Sequence, residues 1–135
     1  MNTQQPGKKE QYYTKDHEWI DFQGAVAYIG ICKFKLTGFK QIQEISYHQP
    51  SEFKKQGDVI ATVKYNDYLV EAHMPVDGSV LQVNEKLVSG NLNILLDSAE
   101  SSAWIAIIVP SVPHERKDLL LPKQYEMNSK SKYAK

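Results

Sequence analysis

Residues 57–78 hold two strand-like runs separated by a short polar break, and this pattern constrains the fold more than any other part of the chain. Residues 59–63 and 68–72 are rich in β-branched, apolar and aromatic side chains, and Asn66 and Asp67 lie between them. Runs of this kind around an Asn-Asp pair are typical of a β-hairpin with an exposed turn. Glycines at both ends of the stretch accept the backbone dihedrals that turns require. We therefore predict a hairpin, and the residue at its tip decides the function.

Five further runs predict strands around this hairpin. Residues 12–20 and 25–31 lie on either side of a Gln-Gly pair and predict an antiparallel pair of strands. Residues 104–109 form the most apolar run, and the lack of alternation predicts a strand that is buried on both faces. The remaining strands are expected at residues 42–47 and 79–84. The first of these two also fits one face of a helix, but the turn-forming residues after it favour a strand.

Helices are predicted only as short peripheral pieces. Residues 87–102 are rich in polar side chains and predict a long loop with one or two helical turns. A hydroxyl at Ser111 and a proline two residues later predict the start of a helix that continues over residues 116–121. Six or more strands with such helices predict a mainly β fold, a small β-sandwich or flattened barrel.

The length of the chain, 135 residues, predicts a single domain. We expect this domain over residues 12–127, after a flexible lead-in at residues 1–11 and before a polar basic tail at residues 128–135.

The composition excludes several classes of protein. Sixteen basic and sixteen acidic residues cancel, so there is no electrostatic reason to expect nucleic acid or an anionic membrane as a partner. The single cysteine, Cys32, excludes an internal disulfide and a cysteine-based metal site, and it fits a reducing compartment. The N-terminus lacks the apolar core of a signal peptide, and no run is long enough to cross a bilayer. We expect a soluble, cytoplasmic, monomeric protein.

Four short motifs follow one another with a characteristic order and spacing. The first, from Tyr13 to Trp19, reads YTKDHEW, and the others are VAYIGI at residues 26–31, Gly57 with IATV at residues 60–63, and PVDG at residues 75–78 with VNE at residues 83–85. Together they resemble the H-protein family of the glycine cleavage system over about residues 12–127. The resemblance implies a biotinyl/lipoyl-type hammerhead fold, with a prosthetic group displayed on a hairpin tip.

The resemblance also identifies the position that corresponds to the family's lipoyl-bearing lysine. In that family the tip reads Glu-Ser-Val-Lys-Ala, and the lysine lies ten residues after the equivalent of Gly57 and eight before the equivalent of Pro75. Both counts arrive at Asp67 here. A carboxylate cannot form the lipoyl amide, so Asp67 is a cofactor-binding position that we do not expect to be modified. Lys64 is the alternative acceptor. It lies three residues before Asp67, and an odd number of residues along a strand turns a side chain to the other face of the sheet.

These residues leave three classes of function open. The first is a non-catalytic interaction or regulatory paralogue without cofactor, which binds proteins of the glycine-cleavage or lipoate-handling type. The second is a lipoyl carrier with lipoate on Lys64, which shuttles an aminomethyl group between decarboxylase, aminomethyltransferase and dihydrolipoyl dehydrogenase. The third is an enzyme that uses Asp67, Glu71 and His73, although nothing in the sequence supplies a nucleophile or a cofactor for it.

No metal site and no catalytic residue are expected from the remaining side chains. Glu71 and His73 fall on one face of the second hairpin arm, where they line a pocket near the tip or belong to a solvated strand face. Asp67 itself also fits an ordinary turn aspartate. The four histidines are scattered without helical ligand spacing, at His17, His48, His73 and His114.

Overall fold

The computed structural model describes residues 10–48, 53–97, 103–111 and 118–126, and these form two antiparallel β-sheets. The larger sheet has the strand order β1-β2-β3-β9-β8-β5, and the smaller has the order β4-β6-β7. The strands are β1 (Glu10–Tyr13), β2 (Glu18–Gln23), β3 (Val26–Ile31), β4 (Glu44–Tyr47), β5 (Phe53–Lys54), β6 (Val59–Tyr65), β7 (Tyr68–His73), β8 (Gly78–Val83) and β9 (Trp104–Pro110).

Within the described residues, helical structure is confined to short pieces between and after the strands. A 3-10 turn, Lys33–Leu36, follows β3, and two single-turn helices, α1 (Glu85–Val88) and α2 (Ile94–Asp97), separate β8 from β9. Residues 122–126 form a last helical turn. The predicted mainly β sandwich with short peripheral helices is confirmed, and the two sheets do not close into a barrel.

The hydrophobic core lies between the two sheets. Strand β9 pairs with β3 on one side and β8 on the other, and its central residues from Ile105 to Ile108 are all buried. This confirms the prediction of a strand that is buried on both faces. The small sheet contributes alternate side chains of β6 and β7, such as Val63 and Ala72, to the same core. Cys32 is also buried.

A tyrosine hydroxyl connects the two sheets across this core. Tyr47, on β4 of the smaller sheet, donates a hydrogen bond of 2.9 Å to the carbonyl oxygen of Ile105 on β9. Burial raises the pKa of Tyr47 well above its ordinary value of 10.0, and a backbone hydrogen bond with Asn84 offsets only part of this effect. The hydroxyl therefore remains a neutral donor over the physiological pH range.

The first predicted strand, residues 12–20, is wrong in one respect, because a tight turn divides it. His17 has a φ of 66°, and the hydroxyl of Thr14 accepts hydrogen bonds from the backbone amides of Asp16 and Glu18. Side-chain to backbone bonds of this kind compete with the ladder of a sheet. The run is therefore two strands, and the first begins at Glu10, inside the expected lead-in.

Other boundaries differ from the sequence-based expectations by a few residues. The predicted strand at 42–47 begins at Glu44, because the backbone amide of Ile42 is bound to the side chain of Asn93. The predicted loop after β8 starts with helix α1, which Asn84 caps by accepting from the amide of Lys86. Most of the helix expected after Ser111 lies outside the described residues, and Leu120 pairs with Tyr13 as an isolated bridge.

In the portion of the chain that the structure describes, no helix is both long and apolar enough to cross a membrane.

Candidate functional site

The predicted hairpin is present, with Asn66 and Asp67 as its turn. Strand β6 ends at Tyr65 and β7 begins at Tyr68, and these two tyrosines lie opposite each other in the ladder. Asn66 has a φ of 54°, a left-handed conformation that asparagine adopts more readily than most residues. Lys64 belongs to the ladder itself, where it lies between Glu44 of β4 and Leu69 of β7. Asp67 therefore occupies the apex, and Lys64 does not.

The tip is held in place by contacts from the segment before β4. The side chain of Gln43 accepts a hydrogen bond of 2.9 Å from the backbone amide of Asn66 and donates one of 3.3 Å to its side-chain oxygen. The ring of Phe39 lies 5.5 Å from that of Tyr65 and 6.4 Å from that of Tyr68, between ring centroids. These contacts fix the position of the turn relative to the body of the protein.

The surface of the tip combines an acid with large apolar side chains. Asp67 is exposed, and no hydrogen bond or ion pair joins its carboxylate to any residue that the structure describes. The next two residues, Tyr68 and Leu69, are 65% and 64% exposed. Lys64 is also exposed. The apex thus offers a free carboxylate beside apolar surface that is available for contact.

A second polar cluster, formed by Asp16, Glu18, Lys35 and His73, lies at the other end of β7. Glu18 is 2% exposed, and its Oε2 lies 2.8 Å from the ammonium of Lys35 and 2.8 Å from Nδ1 of His73. Oδ2 of Asp16 lies 2.9 Å and 2.7 Å from the same two nitrogens. Glu71 extends the cluster toward the tip at 3.6 Å from His73 Nε2. A cavity of about 330 Å³ adjoins it, lined also by Gln56, Gly57, Met74, Pro75 and Asp118.

Lys35 supplies the positive charge that this cluster needs. Partial burial raises the pKa of Asp16, but the hydrogen bond and charge of Lys35, with the charges of His73 and His17, outweigh it and hold that pKa below 3.8. Asp16, Glu18 and His73 also offer ligand atoms within 4.8 Å of one another, which is close enough for a metal ion. The ammonium of Lys35, however, contacts the same two carboxylate oxygens. The cluster is therefore an internal ion-pair network.

The other two described histidines make hydrogen bonds to residues outside this cluster. Nδ1 of His17 lies 2.8 Å from the hydroxyl of Tyr125, and its ring packs against Phe34. Nε2 of His48 lies 2.8 Å from the hydroxyl of Thr62. His114 lies outside the described residues. His73 is thus not grouped with another described histidine, and it lies at the base of the hairpin, away from the tip.

Comparison with known proteins identifies the family. A sequence profile of the glycine cleavage H-protein family matches residues 11–132. The chain belongs to this family.

Individual relatives agree with that result. The glycine cleavage system H protein of Alkaliphilus oremlandii is 34% identical over 113 residues, which cover 84% of this chain and 87% of that protein. Glycine cleavage system H protein 4 of Aquifex aeolicus is 32% identical over 121 residues, 87% of this chain and 68% of that protein. The crystal structure of an H protein from Mycobacterium marinum superimposes with a TM-score of 0.74 at 21% identity, over 89% and 96% of the two chains. That last likeness shows the fold.

Membership in the H-protein family supports a non-catalytic role. The hairpin that the sequence singled out is present, but the ion-pair network at its base was not predicted as a unit. Its members come from Asp16 and Glu18, from Lys35 and from His73, which lies 55 residues after Glu18 in the chain. The charged centre of the YTKDHEW motif was the only local signal, and it does not reveal which distant side chain completes the network.

Proposed function

We propose that this H-protein-like chain carries no lipoyl group and acts as a non-catalytic protein-interaction or regulatory module. The observation that supports the proposal is the carboxylate of Asp67 at the apex of the hairpin, where the family resemblance expects an acylatable amine. Lipoate is attached through an amide, and formation of that amide requires a nucleophilic amine. A carboxylate at the apex removes the acceptor and leaves the display scaffold in place.

The position of Lys64 supports the same conclusion. It lies three residues before Asp67 and within the β6 ladder opposite Leu69, so its side chain projects from the face of the sheet and not from the turn. The residues that follow the apex are large, Tyr68 and Leu69, where the family has small ones. A lipoylating enzyme that reads the turn would meet a different surface, whereas a protein partner gains apolar contact area.

The partners of such a module are proteins of the glycine-cleavage or lipoate-handling type. The exposed ring of Tyr68 and the fixed turn at Asn66 form a rigid surface for such a partner, and rigidity lowers the entropy cost of binding. We further propose that the protein works in the cytoplasm as a monomer, without nucleic acid, membrane or bound cofactor.

A second candidate function is a lipoyl carrier of glycine breakdown with lipoate on Lys64. The exposure of the Lys64 side chain favours it, because a ligase reaches only an accessible amine. In that case the lipoyl arm of Lys64 would carry the aminomethyl group between the decarboxylase, the aminomethyltransferase and dihydrolipoyl dehydrogenase.

Intact-mass spectrometry separates the two candidates. The native chain, Asp67→Lys, Lys64→Arg and the double variant are produced in a host with abundant lipoate. We expect the native chain to be unmodified and both variants with lysine at the apex to gain one lipoyl mass. A lipoyl mass on the native chain that disappears in Lys64→Arg would instead establish the carrier function. If Asp67→Lys also stays unmodified, the altered surface at Tyr68 and Leu69 has lost recognition by lipoylating enzymes, and the lipoate-handling part of the proposed partner class is wrong.

A binding assay tests the interaction role directly. Purified aminomethyltransferase, decarboxylase and lipoate ligase are titrated against the native chain and against Tyr68→Ala/Leu69→Ala, with Glu44→Ala on the same sheet as the control. Loss of two exposed apolar anchors is expected to weaken binding by about tenfold or more. Equal affinity of all three chains for every partner would contradict a role for the tip.

A further inference from the structure

Strand β7 is the edge of the smaller sheet, and its pairing fixes which backbone groups face outward. The two-residue turn makes Tyr65 and Tyr68 a hydrogen-bonded pair, and such pairs alternate along an antiparallel ladder. The amides of Tyr68 and Val70 therefore face β6. Those of Leu69, Glu71 and His73 face away from the sheet.

The free outward-facing backbone groups of β7 end at His73, which is called the stop below. The backbone amide of His73 donates a hydrogen bond of 2.8 Å to Oε2 of Glu18, so this carboxylate occupies the last outward donor. The outward N–H and C=O groups of Leu69 and Glu71 bond to nothing in the part of the chain that the structure describes. Each residue thus offers one free donor and one free acceptor to an incoming strand.

The open part of this edge, residues 68–71, carries one protecting charge, that of Glu71. Natural edge strands are protected by charged side chains, lysine above all, by proline or a bulge, or by another element that covers them. Along the open part of β7, the residues are Tyr68, Leu69, Val70 and Glu71, and the first three favour extended structure. The turn is also fixed by Gln43, so the edge is already ordered before a partner binds.

The charge around the edge is negative. Asp67 lies at its start and Glu71 within it, and both are exposed. Asp16, beyond its stop, is already paired with Lys35. The nearest exposed base on this sheet, Lys64, lies on the inner neighbour β6. A cationic side chain on an incoming strand would therefore be attracted to Glu71.

We propose that the free edge of β7 binds an extended segment of a partner protein, which adds a fourth strand to the smaller sheet. The segment makes backbone hydrogen bonds to Leu69 and Glu71, places an apolar side chain beside Leu69, and places a lysine or arginine near Glu71. This proposal deepens the interaction role proposed above. It depends on that role only because it requires a protein partner. It is independent of whether Lys64 is modified.

A second copy of this chain is a poorer occupant than a single extended segment. In the antiparallel register that pairs Leu69 with Glu71 of the copy, the copy's own hairpin turn lies beside His73. The turn from Thr14 to Glu18 already occupies that side of the strand, because Glu18 binds the His73 amide. A segment whose strand ends near Glu71 avoids this overlap.

Model peptides on the intact chain test the proposal. A labelled Thr-Val-Thr-Lys-Thr peptide, whose valine and lysine are two residues apart and so lie on one face opposite Leu69 and Glu71, is titrated by fluorescence anisotropy, with backbone amide shifts followed by NMR. We expect saturable binding with the largest shifts at Leu69 and Glu71. The same peptide methylated on alternate backbone nitrogens, which removes its donors toward β7, is expected to bind about tenfold more weakly. Equal binding of the methylated and unmethylated peptides would overturn the proposal.

Variants of the edge give a second, independent test. Glu71→Pro removes an outward donor without removing a bond of the β6 ladder, and it should abolish binding while circular dichroism stays native. Glu71→Lys should weaken binding of the lysine peptide about fivefold and improve that of Thr-Val-Thr-Glu-Thr. If Glu71→Pro does not fold, the methylated peptide and Glu71→Lys still decide the question.

Glu44→Lys is the matched control, since Glu44 is an exposed acid at the opposite edge of the same sheet. It is expected to leave the affinity unchanged. An equal loss in Glu44→Lys and Glu71→Lys would mean that the peptide responds only to net charge, and the proposal would be wrong. Sedimentation that shows self-association of the native chain, abolished in Glu71→Pro, would identify a second copy as the occupant and would also overturn it.

Discussion

Oε2 of Glu18 lies 2.8 Å from both the backbone nitrogen and the Nδ1 of His73, so one buried carboxylate joins the start of β2 to the end of β7. These strands belong to different sheets, and the same oxygen also accepts from Lys35. The base of the hairpin is thereby fixed to the larger sheet. The Gln43 contacts hold the tip from the other end, and the hairpin is fixed at both ends.

Removal of the Glu18 carboxylate should destabilise the fold strongly. In Glu18→Ala, Lys35 loses its buried partner and the amide of His73 loses its acceptor. Breaking a buried charged pair from one side costs about 3 kcal/mol or more, and we expect a loss of that size in the free energy of unfolding measured with urea. Glu71→Ala removes an exposed carboxylate 3.6 Å from the same imidazole and should cost less than about 0.5 kcal/mol. Similar losses in the two variants would show that burial of Glu18 contributes little.

The lowered pKa of Asp16 predicts a specific loss of stability in acid. Because its pKa in the folded protein lies below 3.8, its contribution is fully present above that pH and disappears as the pH falls through the folded value. Asp16 is more than half exposed, so the contribution is less than about 1 kcal/mol. Urea unfolding of the native chain and Asp16→Asn from about pH 2 to about pH 7 measures it. The two curves should converge in acid, and a constant gap between them would contradict this contribution of Asp16.

Gly30 should tolerate no side chain, because the indole of Trp19 lies where a Cβ would be. The two residues are neighbours in the β2–β3 ladder, and Trp19 is 1% exposed. Gly30→Ala is expected to cost about 1–3 kcal/mol of unfolding free energy, since an overpacked site strains its neighbours. The smaller ring of Trp19→Phe should reduce the cost of adding Gly30→Ala in a double-mutant cycle. Additive losses in that cycle would contradict the overlap.

The hairpin could be predicted from sequence because its signals are local. Apolar runs on either side of Asn66 and Asp67 require only neighbouring residues to form the ladder and the turn. The division of the run at 12–20 could not be predicted in this way. The hydroxyl of Thr14 binds backbone amides that would otherwise bond within the ladder, and the strand-like composition of the run does not indicate such a bond. Local alternation therefore predicts strands better than it predicts where side chains interrupt them.

The network at the base of the hairpin could not be predicted, since it depends on tertiary packing. Glu18 and His73 lie in different sheets and come together only when the two sheets pack. No pattern in a single sequence indicates that this glutamate is buried or that it pairs with a distant histidine. The hairpin differs, because local signals predicted its turn at Asn66 and Asp67, where the structure has it; that Asp67 corresponds to the lipoyl-lysine position is what the family resemblance implies. Sites built from one hairpin are therefore more accessible to sequence analysis than sites built between sheets.

The hydroxyl of Tyr47 should make the fold sensitive to alkali. Its pKa in the folded protein lies well above 10.0, so the neutral hydroxyl stabilises the fold below that pH, and this contribution is lost as the pH rises from 10.0 toward the folded value. Tyr47→Phe should cost about 1 kcal/mol near neutral pH, because the bond to the Ile105 carbonyl is lost while that oxygen keeps the amide of Asn84. It should also reduce the fall in unfolding free energy above pH 10.0, measured with urea. An alkaline slope that is unchanged in Tyr47→Phe would show that this hydroxyl is not the group that resists ionisation.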